Sequence, residues 1–490
     1  MITELQLENF QGVEASQSVR LAPLTLIFGA NSAGKSSLIR SLLLLKQSID
    51  STNQDNSKNL DYQGNSIDLA SFANVINQHD LEKEMTIGFS SSIHNFGFLA
   101  GRSPGRRTMA QLIDRLDFVK FNTNSSENGL EHVTLTFHFK GESSPLHLFF
   151  SGEWIDSASR YFDWDLRSTD ESLSPEAITL LNKLYSELRF HDEQREFMEP
   201  LEFQRFLNRH EEPDEEAWAQ GLTELKFRGL LPVLPVRLSS ISENEDFQAI
   251  RVNEIWESLF RVARNSINRT MENVSHIRPL REIPDRLGIV DSSKDHVSTN
   301  ELNDSVSKWI ERLTEGRYSL ESAEFESSEL SFMGTITSRY LVDNRTNTRV
   351  SFMDLGVGLS QVLPIIEELV RPPTRNLTTS SISKTVLIEQ PELHLHPKMQ
   401  AELMELFIET TLKGSKRLQI IAETHSEAMI LRLQRQIRDG MVSRNQVAVL
   451  FVETGPDGTS LISELPIGED GEFANPWPLS FSSVRVQEIF

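Results

Sequence analysis

The chain contains no cysteine among its 490 residues. That absence excludes disulfides and thiolate metal sites, and it permits a reducing, cytoplasmic setting. Long apolar runs are missing as well, since nothing approaches the roughly 20 residues that a membrane-spanning helix needs. The opening "MITELQLENF" has neither a basic n-region nor an apolar h-region, so no secretory signal is expected. Basic residues are in deficit: 48 Lys and Arg stand against 71 Asp and Glu, a formal net charge of −23. Such a surface disfavours indiscriminate binding to nucleic acid and leaves only local basic patches for that purpose. Heptad runs and internal repeats are also missing. What is present is a hydrophobic fraction of 38%, enough for a sizeable core at this length. The length suits two or three domains, or one large domain with an insertion.

The pattern along the chain favours the second arrangement. Ile2 to Leu7 reads as a strand, and "LTLIF" (Leu24 to Phe28) as a stronger one that runs into "GANSAGKSS" and then a leucine-rich helix. The segments "MTIGFS", "HVTLTFHF" and "LHLFFSGEW" have the β-branched and aromatic content of an antiparallel unit. From about residue 157 to 316 charged segments of helical period dominate, among them "PEAITLLNKLYSELRF" and "NEIWESLFRVARNSINRTMENV". "EEPDEEAW" reads as a solvated helix start. Strands then return and alternate with helices: a helix near 360–369, a strand at 385–388, a helix from 398 to about 412, and a strand at 418–422. This order predicts a parallel sheet covered by helices. The expected division is residues 1–156, a helical insertion at 157–316, and a C-terminal lobe at 317–490.

Four motifs carry chemistry. Gly29-Ala30-Asn31-Ser32-Ala33-Gly34-Lys35-Ser36 fits the phosphate loop G-x-x-x-x-G-K-S/T between an apolar strand and an apolar helix. Glycines let successive backbone N–H groups face phosphate, and the helix start adds its positive dipole. Lys35 is expected on the β- and γ-phosphates and Ser36 on Mg²⁺. "TVLIEQPELHLHP" delivers Glu389 to the carboxyl edge of the sheet, where an acid holds Mg²⁺ directly or through water. "IIAETHSE" places His425 at the same edge, within reach of a γ-phosphate. "DLGVGLSQVLPIIEEL" opens an apolar helix with Gly356, Gly358, Ser360 and Gln361, a second anion site at a helix start. Weaker features remain. His394 and His396 sit in what reads as an extended segment with no third ligand evident, which favours polar surface or loop packing over metal ligation. Arg102, Arg106 and Arg107, with Arg278, Arg281 and Arg286, are the best basic clusters for DNA, RNA or a partner.

With these elements in order, the chain resembles the ABC-type ATPase heads of the RecF, SMC and OLD families over roughly residues 1–100 and 320–480. "GANSAGKSS", with Asn31 and the doubled Ser36-Ser37, is similar to their phosphate loop. "LIEQPELHLHP" is similar to the Walker B and D-loop stretch of OLD-like bacterial ATPases, "DLGVGLSQVLP" to their signature helix, and "ETHS" to their His switch. The resemblance implies an α/β head, mostly parallel sheet plus an antiparallel β subdomain, with a helical insertion. It implies bound ATP and Mg²⁺, and a homodimer or higher oligomer that sandwiches ATP between one P-loop and the other signature helix. A Q-loop glutamine would be Gln63 or Gln78. OLD proteins proper carry a C-terminal Toprim nuclease, and too little sequence follows "VAVLFVETGPDGTSLISELPIGEDGEF" to hold one. A separate effector protein is therefore expected, in the manner of bacterial anti-phage systems. The alternatives are a scaffold that holds ATP with hydrolysis incidental, and a DNA repair or recombination ATPase.

The stretch departs from the pattern at one place. With Glu389 as the metal acid, Gln390 falls where such heads carry a catalytic glutamate. An amide accepts no proton, so slow hydrolysis is expected, with Gln390 orienting water. Glu392 either compensates as an acid or caps the following turn.

Overall fold

The computed structural model describes residues 1–52, 60–93, 106–151, 173–187, 212–220, 222, 226–228, 230–233, 247–281, 288–290, 299–325, 335–354, 357–371, 383–414 and 418–475. The chain forms two compact units, residues 1–18 with 40–273 and residues 19–39 with 274–490. The three-part division expected from sequence cuts across them. Residues 157–273 fall with the first unit and 274–316 with the second.

In the first unit Ile2–Glu8, Met85–Ser92, Leu116–Ser126, Gly129–Phe139 and Leu146–Ser151 pair antiparallel in that order. The three β-rich segments legible in the sequence are all here, and Leu116–Ser126 joins two of them. Apolar side chains alternate into a core, as Val133, Leu135 and Phe137 do, because period-two strands bury one face. The helix Phe247–Glu272 closes this unit. The hydroxyls of Ser91 and Thr270 lie 2.8 Å apart, and the ring of Phe260 meets Phe150 edge-on.

The second unit is built on a sheet of six strands. Its labelled elements are β1 (Leu24–Gly29), the start of α1 (Lys35–Thr52, counted with the first unit from Arg40), β2 (Val274–Ile277), α2 (Val357–Val370), β3 (Lys384–Glu389), α3 (Pro397–Ile408), β4 (Leu418–Glu423), α4 (Glu427–Arg438), β5 (Val447–Thr454) and β6 (Ser460–Glu464). The order is β2-β3-β4-β1-β5-β6, parallel except for the last pair. Every residue of β1 and of β4 is buried, as expected of strands covered on both faces. Leu26, Val386 and Ile420 from the sheet pack with Val362 and Ile366 of α2 and with Leu403 of α3. The helix Thr299–Leu313 adds Val306 and Ile310 to the same core. This order brings the carboxyl ends of β3, β4 and β1 to one edge, with β4 in the middle. Among the described residues, no helix is long and apolar enough to cross a membrane.

Candidate functional site

The P-loop is shaped by β1 and its neighbour β5. Gly29 has φ +150°, and a Cβ there would lie 2.0 Å from the carbonyl oxygen of Val452, so only glycine lets the two strands end side by side. The loop then turns through exposed Asn31 and Ser32, the latter at φ +61°, and enters α1 at Lys35. Inside the first turn, the N–H of Ser37 donates to the carbonyl of Gly34 at 3.0 Å. Lys35 is only 4% exposed, and its Nζ folds back to donate to the carbonyls of Gly29 and Ala30 at 3.2 and 2.6 Å. Burial lowers its pKa, opposed by the carboxylates of Glu423 and then Glu392.

The Ser36 hydroxyl donates to Oε2 of Glu423 at 2.7 Å. Sequence reasoning paired Ser36 with Glu389 for metal and passed over Glu423, although an acid closing the apolar strand "LQIIAE" was the available signal. Glu389 has other neighbours: its Oε1 lies 2.7 Å from Nε2 of His276 on β2, and its carbonyl accepts from Arg281 Nη2 at 2.7 Å.

Arg281 is the second residue whose role sequence reasoning missed, having counted it in a basic cluster. It is buried, and the loss of hydration pulls its pKa down to about 10 against the attraction of Glu392 and Glu389. Its Nη2 also donates to the carbonyl of Gln390 at 3.1 Å, and its Nη1 to that of Gln361 at 3.3 Å. The Gln361 side chain is committed to the same contact. Its Oε1 accepts from the Arg281 N–H at 3.0 Å, and its Nε2 donates to the Arg281 carbonyl at 2.6 Å. Arg278, by contrast, is exposed. Arg102, Arg286 and Gly356 lie outside the described residues, as do the side chains of Arg106 and Arg107.

Gln390 follows Glu389 at φ +45°, a left-handed conformation rare for a residue with a Cβ. Its N–H donates to the Glu423 carbonyl at 2.8 Å, which ties the end of β3 to the end of β4. Glu392 reaches the same place. One oxygen accepts from the Thr424 hydroxyl at 2.8 Å and the other from the His425 N–H at 2.7 Å, while burial raises its pKa. It therefore fastens the turn after β3 to the residues after β4. The His425 imidazole is half-buried, and burial followed by the Lys35 charge lowers its pKa, which keeps it neutral at physiological pH. Ser360 is buried at the start of α2, and Gly358 lies against the His394 main chain.

His394 sits at φ +63° in a turn, so the segment is not extended there. His396 caps α3, its Nδ1 accepting from the Lys398 N–H at 3.3 Å. No group of three or more His or acidic side chains suited to a metal occurs among the described residues. In the first unit, Gln63 donates to the Ala70 carbonyl at 2.7 Å and Gln78 is exposed.

Strand, phosphate loop, helix and converging acids are the parts of a nucleotide site. A family profile described as AAA ATPase domain (AAA_15) matches residues 1–430. The chain belongs to the AAA_15 family. Three solved structures are similar to this AAA_15 chain at low identity. An SMC head bound to the C-winged helix domain of ScpA shares 12% identity and a TM-score of 0.42, covering 96% of this chain and 98% of that one. An SMC head with an extended coiled coil bound to the C-terminal domain of ScpA from Pyrococcus furiosus has 13% identity and 0.42, covering 100% and 99%. The SMC head from Thermotoga maritima has 9% and 0.36, covering 95% and 99%. No curated protein matches. AAA_15 membership implies ATP, usually with Mg²⁺. The donor set fits, because a serine hydroxyl against a buried carboxylate offers the hard oxygens that Mg²⁺ takes.

Proposed function

We propose that the chain is a slow ATPase of the SMC/OLD-like kind that works as a nucleotide-gated dimer or larger assembly and controls a separate effector. The observation that carries this reading is Gln390, an amide side chain on a main chain held by the Glu423 carbonyl and the Arg281 guanidinium. Bound Mg²⁺ supplies charge neutralisation for the phosphates. Lys35, now satisfied by loop carbonyls, has an ammonium group to offer a γ-phosphate in exchange for those bonds. Gln390 can orient an attacking water but cannot take its proton. Neutral His425 can donate one hydrogen bond to a phosphate oxygen without adding a charge. Glu392 is occupied by two donors, which makes it a positioning group for the Thr424–His425 segment. The result is a site suited to hold ATP for long periods.

Gly358, Ser360 and Gln361 lie at the start of α2, which on this reading faces the nucleotide of a second copy. A role in anti-phage defence, with nucleic acid or an effector on the residues of the expected insertion, follows from the resemblance of the motifs. Steady-state ATP turnover and light-scattering mass with and without ATP test the reading. Turnover below about one per minute, with a larger assembly in ATP, is expected. Fast turnover by a monomer would overturn it. No measurable turnover, with ATP retained through purification, would favour the scaffold alternative, to which the same amide points.

A further inference from the structure

The strand that ends in the apparent metal acid is not the neighbour of the P-loop strand. β4 lies between β3 and β1, its Glu423 in register with both Glu389 and Ile27. Their hydrogen bonds separate the acids. Ser36, the hydroxyl of a P-loop that faces the metal, donates to Glu423 at 2.7 Å, whereas Glu389 has His276 at the same distance on its far side. Glu423 is also 4% exposed, a depth at which a carboxylate needs cationic or donor partners.

Resting on the ATPase reading, we propose that Glu423, and not Glu389, is the carboxylate that holds the nucleotide-bound Mg²⁺ together with Ser36. Glu389 then serves the other side of the strand end, with His276 and Arg281, as part of the frame that fixes Gln390. With the cation bound, the Ser36 hydroxyl and the Glu423 carboxylate would both supply it with hard oxygens.

The test uses the full chain and two probes: a fluorescent ATP analogue titrated in Mg²⁺ or in EDTA, and Mn²⁺ with ADP followed by electron paramagnetic resonance. Wild type binds nucleotide more tightly in Mg²⁺. Glu423→Gln loses that gain by about tenfold or more and weakens the bound-Mn²⁺ signal, while its affinity in EDTA stays near wild type. Glu389→Gln keeps the metal-dependent gain, whatever it does to turnover. Ser36→Ala reproduces the Glu423→Gln loss, and the double variant adds little to it. A loss carried by Glu389→Gln with Glu423→Gln unaffected would overturn this assignment alone. A wild type that binds no nucleotide in either condition would overturn the ATPase reading and the assignment together. Should Glu423→Gln fail to fold, Ser36→Ala and Glu389→Gln still decide between the acids.

Discussion

The ends of β3 and β4 lie side by side in register, and each closes an apolar strand with a glutamate. Their surroundings differ. The β4 end faces the phosphate loop through Ser36, and the β3 end faces a buried arginine and a histidine. The neighbours a glutamate meets at such an edge are therefore decided by which strand pairs with the P-loop strand, which a local motif does not encode.

The largest effect on this contrast is expected on the β4 side. Lys35→Met removes the ammonium that the loop carbonyls hold in reserve and should weaken nucleotide binding by about a hundredfold or more, measured by titration. On the β3 side, Arg281→Leu leaves the carbonyls of Glu389, Gln390 and Gln361 without their donor. It should cost about 3 kcal/mol in urea unfolding of the second unit and lower turnover; loss of binding without loss of stability would break the contrast. Gln390 sits where the two ends meet. Gln390→Glu should raise turnover several-fold by restoring a proton acceptor, while Gln390→Gly relieves the left-handed backbone by about 1 kcal/mol and slows turnover.

The smallest effect concerns Glu392. Its pKa is raised in the folded chain, so its contribution to stability is fully present below the ordinary glutamate value and fades as pH rises through the folded value. Glu392→Gln should therefore gain on wild type in stability as pH rises above the ordinary glutamate value, while lowering turnover by loosening the Thr424–His425 segment. A stability difference that moves the other way with pH would show that its two donors outweigh its burial.

Much of this was legible in the sequence. "LTLIF" before "GANSAGKS", and "TVLIE" with "LQIIA" after it, name the strands because buried parallel strands are apolar throughout. The helix from Val357 was also legible, even with Pro364 inside it. Pairing order was not, since β4 comes to lie between β1 and β3 through contacts between positions some 400 residues apart. His276 was not singled out, and Arg281 was read only as part of a basic cluster, for the same reason: they reach the site because β2 pairs with β3. Glu423 was passed over because the histidine of "ETHS", two residues on, drew the chemical reading.

One contact at the start of α2 has a mechanical meaning. A Cβ on Gly358 would come within 2.5 Å of the His394 carbonyl, so helix and turn meet with no side chain between them. A push on the helix start would therefore meet the main chain of the turn directly. That turn carries Glu392, and Glu392 holds the main chain of His425. The glycine thus acts as a zero-thickness shim, through which whatever presses on α2 is registered as a displacement at the P-loop edge.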